Sequence, residues 1–212
     1  MTAKRFWDDP YQTHLQTVVA TVQGTDVTLR ETIFYAQSGG QESDAGTIGG
    51  QPVLSAHKQG LDIIYTLPDG HGVRAGDVVD VDIDWVRRYR LMRLHFAAEV
   101  ILELMYRQHP SVEKVGAHIA QDKARIDFGW AGNISAVFPA LTTAANELVA
   151  ADLPIISAFS DVVNQRRYWE VADFAHVPCG GTHLKHTGEV GEISLKRRNI
   201  GKGKERIEVY VP

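Results

Sequence analysis

Two short segments of this sequence carry side chains that can bind a metal ion or do covalent chemistry. The first contains His95 and, four residues later, Glu99, in a stretch with helical hydrophobic spacing. Positions i and i+4 share a helix face, so the imidazole and the carboxylate can converge on one point. The second is residues 179–183, Cys-Gly-Gly-Thr-His, whose glycines let the backbone turn tightly between Cys179 and His183. Together they offer one sulfur, two nitrogens and one carboxylate, a competent ligand set for zinc.

Each of these residues also has a simpler interpretation. A histidine with a glutamate four residues later is typical of a helix-surface pair, and a lone cysteine is typical of a small buried apolar residue. Another alternative is a metal-free catalytic dyad of Cys179 and a histidine. The combination favours a metal site, and we predict one zinc ion per chain, bound by His95, Glu99, Cys179 and His183.

The composition is that of an ordinary folded protein. The chain has 212 residues, of which 44% are hydrophobic and 23% charged, enough for one large domain or two small ones. Cys179 is the single cysteine, so no disulfide can form within the chain, and we expect a reducing, cytoplasmic location. No secretory signal or membrane span is visible, so we predict no membrane partner. The net charge of −4 leaves room for a local basic patch only.

The hydrophobic pattern changes near Asp84, a predicted helix N-cap. Before it, short β-type segments alternate with turn residues, which is typical of a small barrel or sandwich. From Trp85 to about Gln108 apolar residues on both sides predict a long, covered helix. A hairpin, a second helix at about 135–151 and further strands then predict helices layered on antiparallel strands. Those strands are expected at residues 154–159, 189–196 and 205–211.

We therefore predict an α+β protein with two domains. Residues 1–84 are expected to form a small N-terminal β-barrel, and residues 85–212 a two-layer α/β domain with mainly antiparallel strands. The first domain contains the segment Gly39-Gly40-Gln41. Adjacent glycines allow close approach of the backbone to a ligand, although a hairpin loop is the simpler interpretation.

Several segments, in the same order along the chain, resemble the alanyl-tRNA editing proteins (AlaX), stand-alone relatives of the editing domain of alanyl-tRNA synthetase. The resemblance extends over nearly the whole chain, and the length suits the medium type of this family, which has a β-barrel and an editing domain. The segments are residues 6–11 (Phe-Trp-Asp-Asp-Pro-Tyr), 34–41 (Phe-Tyr-Ala-Gln-Ser-Gly-Gly-Gln), 44–47 (Asp-Ala-Gly-Thr), 93–95 (Arg-Leu-His), 118–121 (His-Ile-Ala-Gln), 125–128 (Arg-Ile-Asp-Phe) and 179–183.

The resemblance implies an activity and a set of site residues. The activity is trans-editing, the zinc-dependent hydrolysis of the aminoacyl ester of mischarged alanine tRNA, with Ser-tRNA(Ala) as a substrate and Gly-tRNA(Ala) as a second candidate. The zinc ligands that it implies are His95, Cys179 and His183. We predict catalytic roles for Glu99 and Gln121. Substrate contacts are predicted at Gly39, Gly40, Gln41, Gln121 and Thr182.

The sequence departs from the family's first zinc motif at two positions. Glu99 stands where the family has histidine, and Phe96 stands where it usually has threonine. A carboxylate in place of a neutral imidazole makes bound water less acidic and the metal a weaker Lewis acid. Glu99 is therefore a fourth zinc ligand, a general base, or a sign that zinc is lost. The main alternative function is a catalytically degenerate tRNA- or protein-binding module of the same fold; a metal-free hydrolase that uses Cys179 is another.

Two clusters of basic residues stand out against the acidic average. One lies at the start of the long helix and the other near the C-terminus. Phosphate contact predicts strongly salt-dependent tRNA binding, and solvated surface charge is the alternative. No nucleotide-binding motif is visible, so no nucleotide cofactor is predicted. The predicted tRNA-binding residues are Arg87, Arg88, Lys196, Arg197, Arg198, Lys202 and Lys204.

Overall fold

The computed structural model describes residues 2–201 and 203–212 and shows an α+β protein with mostly antiparallel strands. The chain divides into two compact units, Met1–Arg90 and Leu91–Pro212. The helix α1, Trp85–Gln108, begins in the first unit and continues in the second. Among the described residues, no helix is long and apolar enough to cross a membrane. The functional division at residue 84 stays a prediction.

The first unit is built from short β-strands. Two of them, β1 and β4, form a parallel pair, and the others form one antiparallel sheet in the order β6-β5-β9-β2-β3-β8-β7. In the described part of this unit, the strands are β1 Ala3–Lys4, β2 His14–Gln23, β3 Asp26–Leu29, β4 Glu31–Thr32, β5 Gly46–Ile48, β6 Gln51–Pro52, β7 Ser55–Gln59, β8 Asp62–Thr66 and β9 Val78–Ile83.

The large sheet of the first unit must curl strongly. Its edge strands, β6 and β7, are joined by residues 53 and 54 alone. Such a link spans no more than about 11 Å, whereas the edges of a flat seven-stranded sheet stand roughly 29 Å apart. Side chains that include Val27, Ile63 and Tyr65, each 0% exposed, form the apolar core of this unit. Closure into a full barrel stays a prediction.

The second unit combines helices with two antiparallel sheets. One sheet has the order β10-β11-β16-β15 and the other β12-β13-β14. The helix α2, Phe138–Ala150, follows a short helical turn at Ile134–Val137. The strands described here are β10 Glu113–Ile119, β11 Ala124–Gly129, β12 Ile156–Asp161, β13 Arg166–Val171, β14 Ala175–Pro178, β15 Ser194–Gly201 and β16 Lys204–Tyr210. Packing in two layers stays a prediction.

The helix α1 has the bounds predicted from the sequence. The Asp84 carboxylate accepts a hydrogen bond from the Arg87 backbone N–H at 3.1 Å, as expected of an N-cap. Between Leu91 and Met105 buried residues lie on all sides of the helix, and such a helix must be covered all round. His95 and Glu99 are therefore held on a rigid, buried element.

The sequence pattern is less accurate after residue 160. The strand predicted at 189–196 is wrong at its start, because Thr187–Val190 forms a short helical turn and β15 begins at Ser194. Glu189 caps that turn by accepting a hydrogen bond from the His186 backbone N–H at 3.0 Å. The strands β13 and β14 were not predicted from the sequence. The alternation of Trp169 and Val171, both buried, with polar residues is the signal that marks β13.

Candidate metal centre

The side chains of His95, Glu99, Cys179 and His183 come together in the second unit. Their ligand atoms all lie within 4.8 Å of one another. His95 and Glu99 are one turn apart on α1, whereas Cys179 and His183 belong to the loop that follows β14. Helix geometry explains only the pair on α1, so the fold of β13 and β14 must bring the loop to the helix.

The distances within this cluster suit ligands that surround one small ion. Nε2 of His95 lies 3.2 Å from Oε1 of Glu99 and 3.4 Å from Sγ of Cys179. Nε2 of His183 lies 3.5 Å from Oε2 of Glu99. Ligand atoms at the corners of a tetrahedron with bonds of ~2.0–2.3 Å stand about 3.3–3.8 Å apart. The donor types and their spacing therefore fit a zinc ion.

Two buried polar atoms of the cluster have no hydrogen-bond partner among the described residues. They are Oε2 of Glu99 and Nε2 of His183, in side chains that are only 16% and 2% exposed. Leaving a buried polar group unsatisfied costs about 1–3 kcal/mol, and more for a charged group. A bound cation satisfies both atoms, which is a second reason why these residues fit a metal.

The protonation equilibria of the cluster are tightly coupled. Burial lowers the pKa of His95, but the Glu99 carboxylate and Cys179 outweigh burial and raise it well above its ordinary value. Burial raises the pKa of Glu99, but the two histidines outweigh it and hold that pKa far below its usual range. Burial and Glu99 raise the pKa of Cys179, whereas the histidines lower it, with a net value of about 7. The cluster thus favours the ionised carboxylate and thiolate, the forms that bind metals, together with protonated histidines, which lose their protons when a metal binds.

Neighbouring groups orient the cluster. Oγ of Ser157 lies 3.2 Å from Nδ1 of His183, which leaves Nε2 of the same ring facing the centre. The backbone N–H of Gly181 donates to Sγ of Cys179 at 3.4 Å and stabilises negative charge on the sulfur. The backbone N–H of Cys179 donates to the carbonyl of Arg167 at 2.9 Å, which ties the loop to β13. No sequence signal singles out Ser157, because it meets His183 only in the folded chain.

Phe96, the second departure from the zinc motif, is a core residue. Its ring packs edge-to-face against Trp169, with centroids 5.0 Å apart, and both side chains are 0% exposed. Such a pair adds about 0.5–1.5 kcal/mol beyond the area that it buries. The phenyl ring therefore fixes α1 against β13, the strand that anchors Cys179.

The similarity of this chain to known proteins covers its whole length. Residues 167–208 match the family described as threonyl and alanyl tRNA synthetase second additional domain. The alanyl-tRNA editing protein AlaX-M of Pyrococcus horikoshii is 31% identical over 215 residues, an alignment that covers 100% of this chain and 98% of the relative. The chain belongs to the AlaX-M family of alanyl-tRNA editing proteins.

Further relatives include both free-standing proteins and a much longer enzyme. The AlaX-M protein of Methanosarcina mazei is 30% identical, with 98% of this chain and 95% of the relative covered. The alanine–tRNA ligase of Methanococcus aeolicus is 28% identical over 96% of this chain, but only 25% of the ligase is covered. This chain therefore corresponds to one part of that ligase.

The two glycines in the 179–183 loop have different surroundings. A Cβ atom on Gly181 would lie 2.4 Å from Cε1 of His95, whereas one on Gly180 would meet no atom within 4 Å. If the cluster binds zinc as predicted, we expect Gly181→Ala to displace His95 and to lower zinc affinity roughly 10–100-fold, as disturbed ligand orientation does. Gly180→Ala, the matched control, should keep the wild-type affinity. Competition with a chelator measures both, and equal affinities would show that His95 does not need the space at Gly181.

The predicted glycine-rich loop is a tight turn in the first unit. Gly39 and Gly40 have φ angles of 60° and 87°, and Ser38 and Gln41 exchange two backbone hydrogen bonds across them, at 3.1 and 3.0 Å. Two successive positive φ angles are those of a type I′ turn, which favours glycine. Gln41 is fully buried, so it is the glycines that reach the surface of the turn. A role in substrate binding stays a prediction.

The other predicted substrate-binding residues occupy different surroundings. Gln121 is exposed in the turn between β10 and β11, which the Ala120 backbone N–H closes by donating to the Lys123 carbonyl at 3.0 Å. Thr182 is 1% exposed and lies between the two candidate ligands of its loop. The roles of Gln121 and Thr182 stay predictions.

The structure corrects the prediction that Arg88 contacts tRNA. This side chain is 0% exposed. Its guanidinium donates to both carboxylate oxygens of Asp44 and to the carbonyls of Pro10, at 2.9 Å, and Ile33, at 2.6 Å. Arg88 therefore holds the first unit together and cannot reach a phosphate. Arg87 is half-buried and pairs with a glutamate at 2.8 Å, and its contact with tRNA stays a prediction.

The predicted basic cluster near the C-terminus divides between two faces of a sheet. Lys196 and Arg198 are exposed on one face. Arg197 lies opposite Ile207 in the strand register and pairs with Glu205 at 2.5 and 2.6 Å, so it stabilises the other side of the sheet. Lys204 is exposed. The predicted contact at Lys202 lies outside the described residues.

Proposed function

We propose that this chain hydrolyses the ester bond between a wrong amino acid and alanine tRNA, with Ser-tRNA(Ala) as the main substrate and Gly-tRNA(Ala) as a second. The observation that carries the proposal is the buried cluster of His95, Glu99, Cys179 and His183. It lies in a chain whose full-length relatives are named alanyl-tRNA editing proteins. Hydrolysis of an ester is a reaction that such a ligand set supports when it holds zinc.

The need for such an enzyme follows from the limits of binding selectivity. A synthetic site for alanine discriminates against amino acids that differ by a methyl or hydroxyl group by only about 1–3 kcal/mol. A second, hydrolytic site clears the errors. If its pocket hydrogen-bonds the serine hydroxyl, alanine leaves buried polar groups unpaired and loses about 1–3 kcal/mol there. Serine is therefore removed in preference to alanine.

We assign the zinc ion to four ligands, with Glu99 as the one that departs from the family. When bound, zinc supplies a Lewis acid that activates water or holds the aminoacyl end of the tRNA. The chain's own groups orient the ligands: Ser157 holds the ring of His183, and the Gly181 N–H stabilises the sulfur of Cys179. The placement of Glu99 between the two imidazole nitrogens supports ligation.

Substrate recognition is also part of the proposal. We assign backbone contacts to the turn formed by Gly39 and Gly40, which Gln41 closes. The amide of Gln121 and the hydroxyl of Thr182 are polar groups that can recognise the serine hydroxyl or the ester. Gln121 is the more accessible of the two, since it is exposed.

The proposal includes the architecture of both parts of the chain. We propose that the curled sheet of residues 1–84 closes into a small β-barrel, which the two-residue link between β6 and β7 supports. Residues 85–212 would then form the two-layer editing domain. They contain the four cluster residues and the family match at 167–208.

Deacylation of three aminoacylated alanine tRNAs tests the activity. We expect fast release of serine and glycine, with serine preferred over alanine by roughly 5–150-fold, the factor equivalent to about 1–3 kcal/mol. Zinc should be near-stoichiometric by elemental analysis, and its removal by a chelator should abolish activity until zinc is restored. Binding of tRNA without deacylation would identify a degenerate module. Activity that survives the chelator would instead point to a hydrolase that uses Cys179 without metal.

A further inference from the structure

The four-stranded sheet β10-β11-β16-β15 has one face that is strongly cationic. We propose that this face binds the phosphate backbone of the tRNA substrate; the choice of RNA as partner rests on the proposed function. The face is distinct from the cluster of His95, Glu99, Cys179 and His183. Its cations come from three segments of the chain that the strand pairing brings side by side.

Strand register decides which side chains belong to this face. Ile126, Ile207 and Val209 are at most 1% exposed, so they mark the side turned to the core. Side chains alternate along a strand, so the neighbouring positions point the other way. Arg206 pairs in register with Arg198 on one side and Asp127 on the other. The cationic face is defined here as Lys123, Arg125, Lys196, Arg198, Lys204 and Arg206.

The carboxylates inside this face are covered by its cations. Asp127 is 7% exposed and accepts hydrogen bonds from Arg125 at 2.6 Å and from Arg206 at 2.6 and 3.0 Å. Glu208 is also 7% exposed and accepts from Lys123 at 2.7 Å. The paired cations keep 20–33% of their side chains exposed. What reaches solvent is therefore mainly positive charge, held in place by buried acids.

The outermost strand carries cations that are available to a ligand. Arg198 is exposed. The ammonium of Lys196 is exposed and lies 5.0 Å from the ring centroid of Tyr210. A guanidinium matches a phosphate with two parallel hydrogen bonds, and an ammonium binds it as a point charge. The face keeps a surplus of cations even with Glu113 at its end, whereas the whole chain has a net charge of −4.

The contrast between a cationic face and a chain of net negative charge favours a phosphate polymer as the partner. A chain with a net negative charge is repelled by nucleic acid except where cations are concentrated, so electrostatic attraction of the RNA backbone should be strong at this face. Each cation that neutralises a phosphate releases counterions, and the salt dependence of binding therefore reports how many cations engage the RNA.

The test compares tRNA binding of matched double variants over a range of salt concentrations. Lys196→Ala with Arg198→Ala removes two exposed cations from the face. Arg30→Ala with Arg74→Ala removes two exposed cations from the first unit and is the charge-matched control. We expect the first pair to weaken binding and to reduce the slope of log Kd against log salt by about two units, one for each cation removed from a phosphate. The control pair should keep the wild-type slope.

A third variant distinguishes the loss of a cation from the cationic face from a disturbance of strand β15. The variant is Arg197→Ala. Arg197 lies between the two test residues but on the other side of the sheet, where it pairs with Glu205, a residue that is 1% exposed. We expect the variant to lower the midpoint of unfolding, because a buried carboxylate loses its partner, and to leave the salt slope unchanged. Zinc content and the unfolding midpoint of the other variants should equal those of the wild type.

The outcomes distinguish this proposal from the proposed function. An unchanged slope in the Lys196/Arg198 variant, or no binding of tRNA by the wild type, would overturn the cationic face. Seryl-tRNA deacylation by the wild type together with an unchanged slope would refute the RNA-binding role of the cationic face but not the editing activity. A reduced slope in a protein that does not deacylate any of the three tRNAs would support the face and refute the editing activity.

Discussion

Replacement of Glu99 by glutamine is expected to remove most of the bound zinc. The two carboxylate oxygens of Glu99 lie 3.2 Å from a nitrogen of His95 and 3.5 Å from a nitrogen of His183. A neutral amide is a poor ligand for a dication, so the loss of affinity should exceed the roughly 10–100-fold that follows changes around ligands. Glu99→His restores the imidazole of the resembling family and should retain zinc. Elemental analysis and chelator competition on the purified variants give both values.

The same variants distinguish ligation from the two alternatives, which are a general base at Glu99 and a degenerate centre. If Glu99 is a general base, Glu99→Gln keeps its zinc and loses about 10²–10⁴-fold in the rate of deacylation. If the centre is degenerate, neither zinc content nor rate changes. Glu103→Gln is the matched control, since it removes a half-buried carboxylate one turn further along α1, outside the cluster. Full zinc occupancy in Glu99→Gln would contradict ligation.

Arg88→Met should destabilise the first unit by about 3–5 kcal/mol, the range for breaking a buried ion pair. The substitution leaves the carboxylate of Asp44, which is 5% exposed, without its charged partner. It also removes the bonds that Arg88 donates to the carbonyls of Pro10 and Ile33. A shift of the urea unfolding midpoint at constant slope measures the change.

The neighbouring arginine is the control for this prediction. Arg87→Met makes the same exchange in a pair with Glu42 whose side chains are 19% and 30% exposed. We expect a loss of roughly 1 kcal/mol or less there, because solvent screens such pairs. Wild-type stability in Arg88→Met, combined with weaker tRNA binding, would show that Arg88 contacts RNA and does not lock the core.

Local patterns were sufficient to predict several parts of this molecule. The helix Trp85–Gln108 and the strand Val78–Ile83 have the predicted bounds, because both depend on uninterrupted periodicity and on a cap at Asp84. The pairing of His95 with Glu99 follows from the pitch of one helix. The resemblance to the alanyl-tRNA editing proteins rests on short motifs in order, and the full-length relatives confirm it.

Adjacent residues of the same type have different partners in this protein, and only the tertiary structure decided which partner each one has. Residues 196–198 are three consecutive cations, yet strand pairing turns Arg197 toward Glu205 and places the other two on the opposite face of the sheet. Arg87 and Arg88 are adjacent, yet only Arg88 is enclosed, by Asp44 and two carbonyls far along the chain. These differences depend on partners and register set by long-range contacts, and a local sequence pattern holds no information about which neighbour the fold will bring.

The candidate metal centre shows both contributions at once. The sequence by itself was sufficient to predict the four candidate donor residues, because a helical repeat and a loop of five residues are local geometry. Only the fold brought the two pairs within 4.8 Å, placed Ser157 against His183, and placed Gly181 against the ring of His95. The physical reason is that the strands before the loop position it, and a strand's place in a sheet depends on pairing between distant segments.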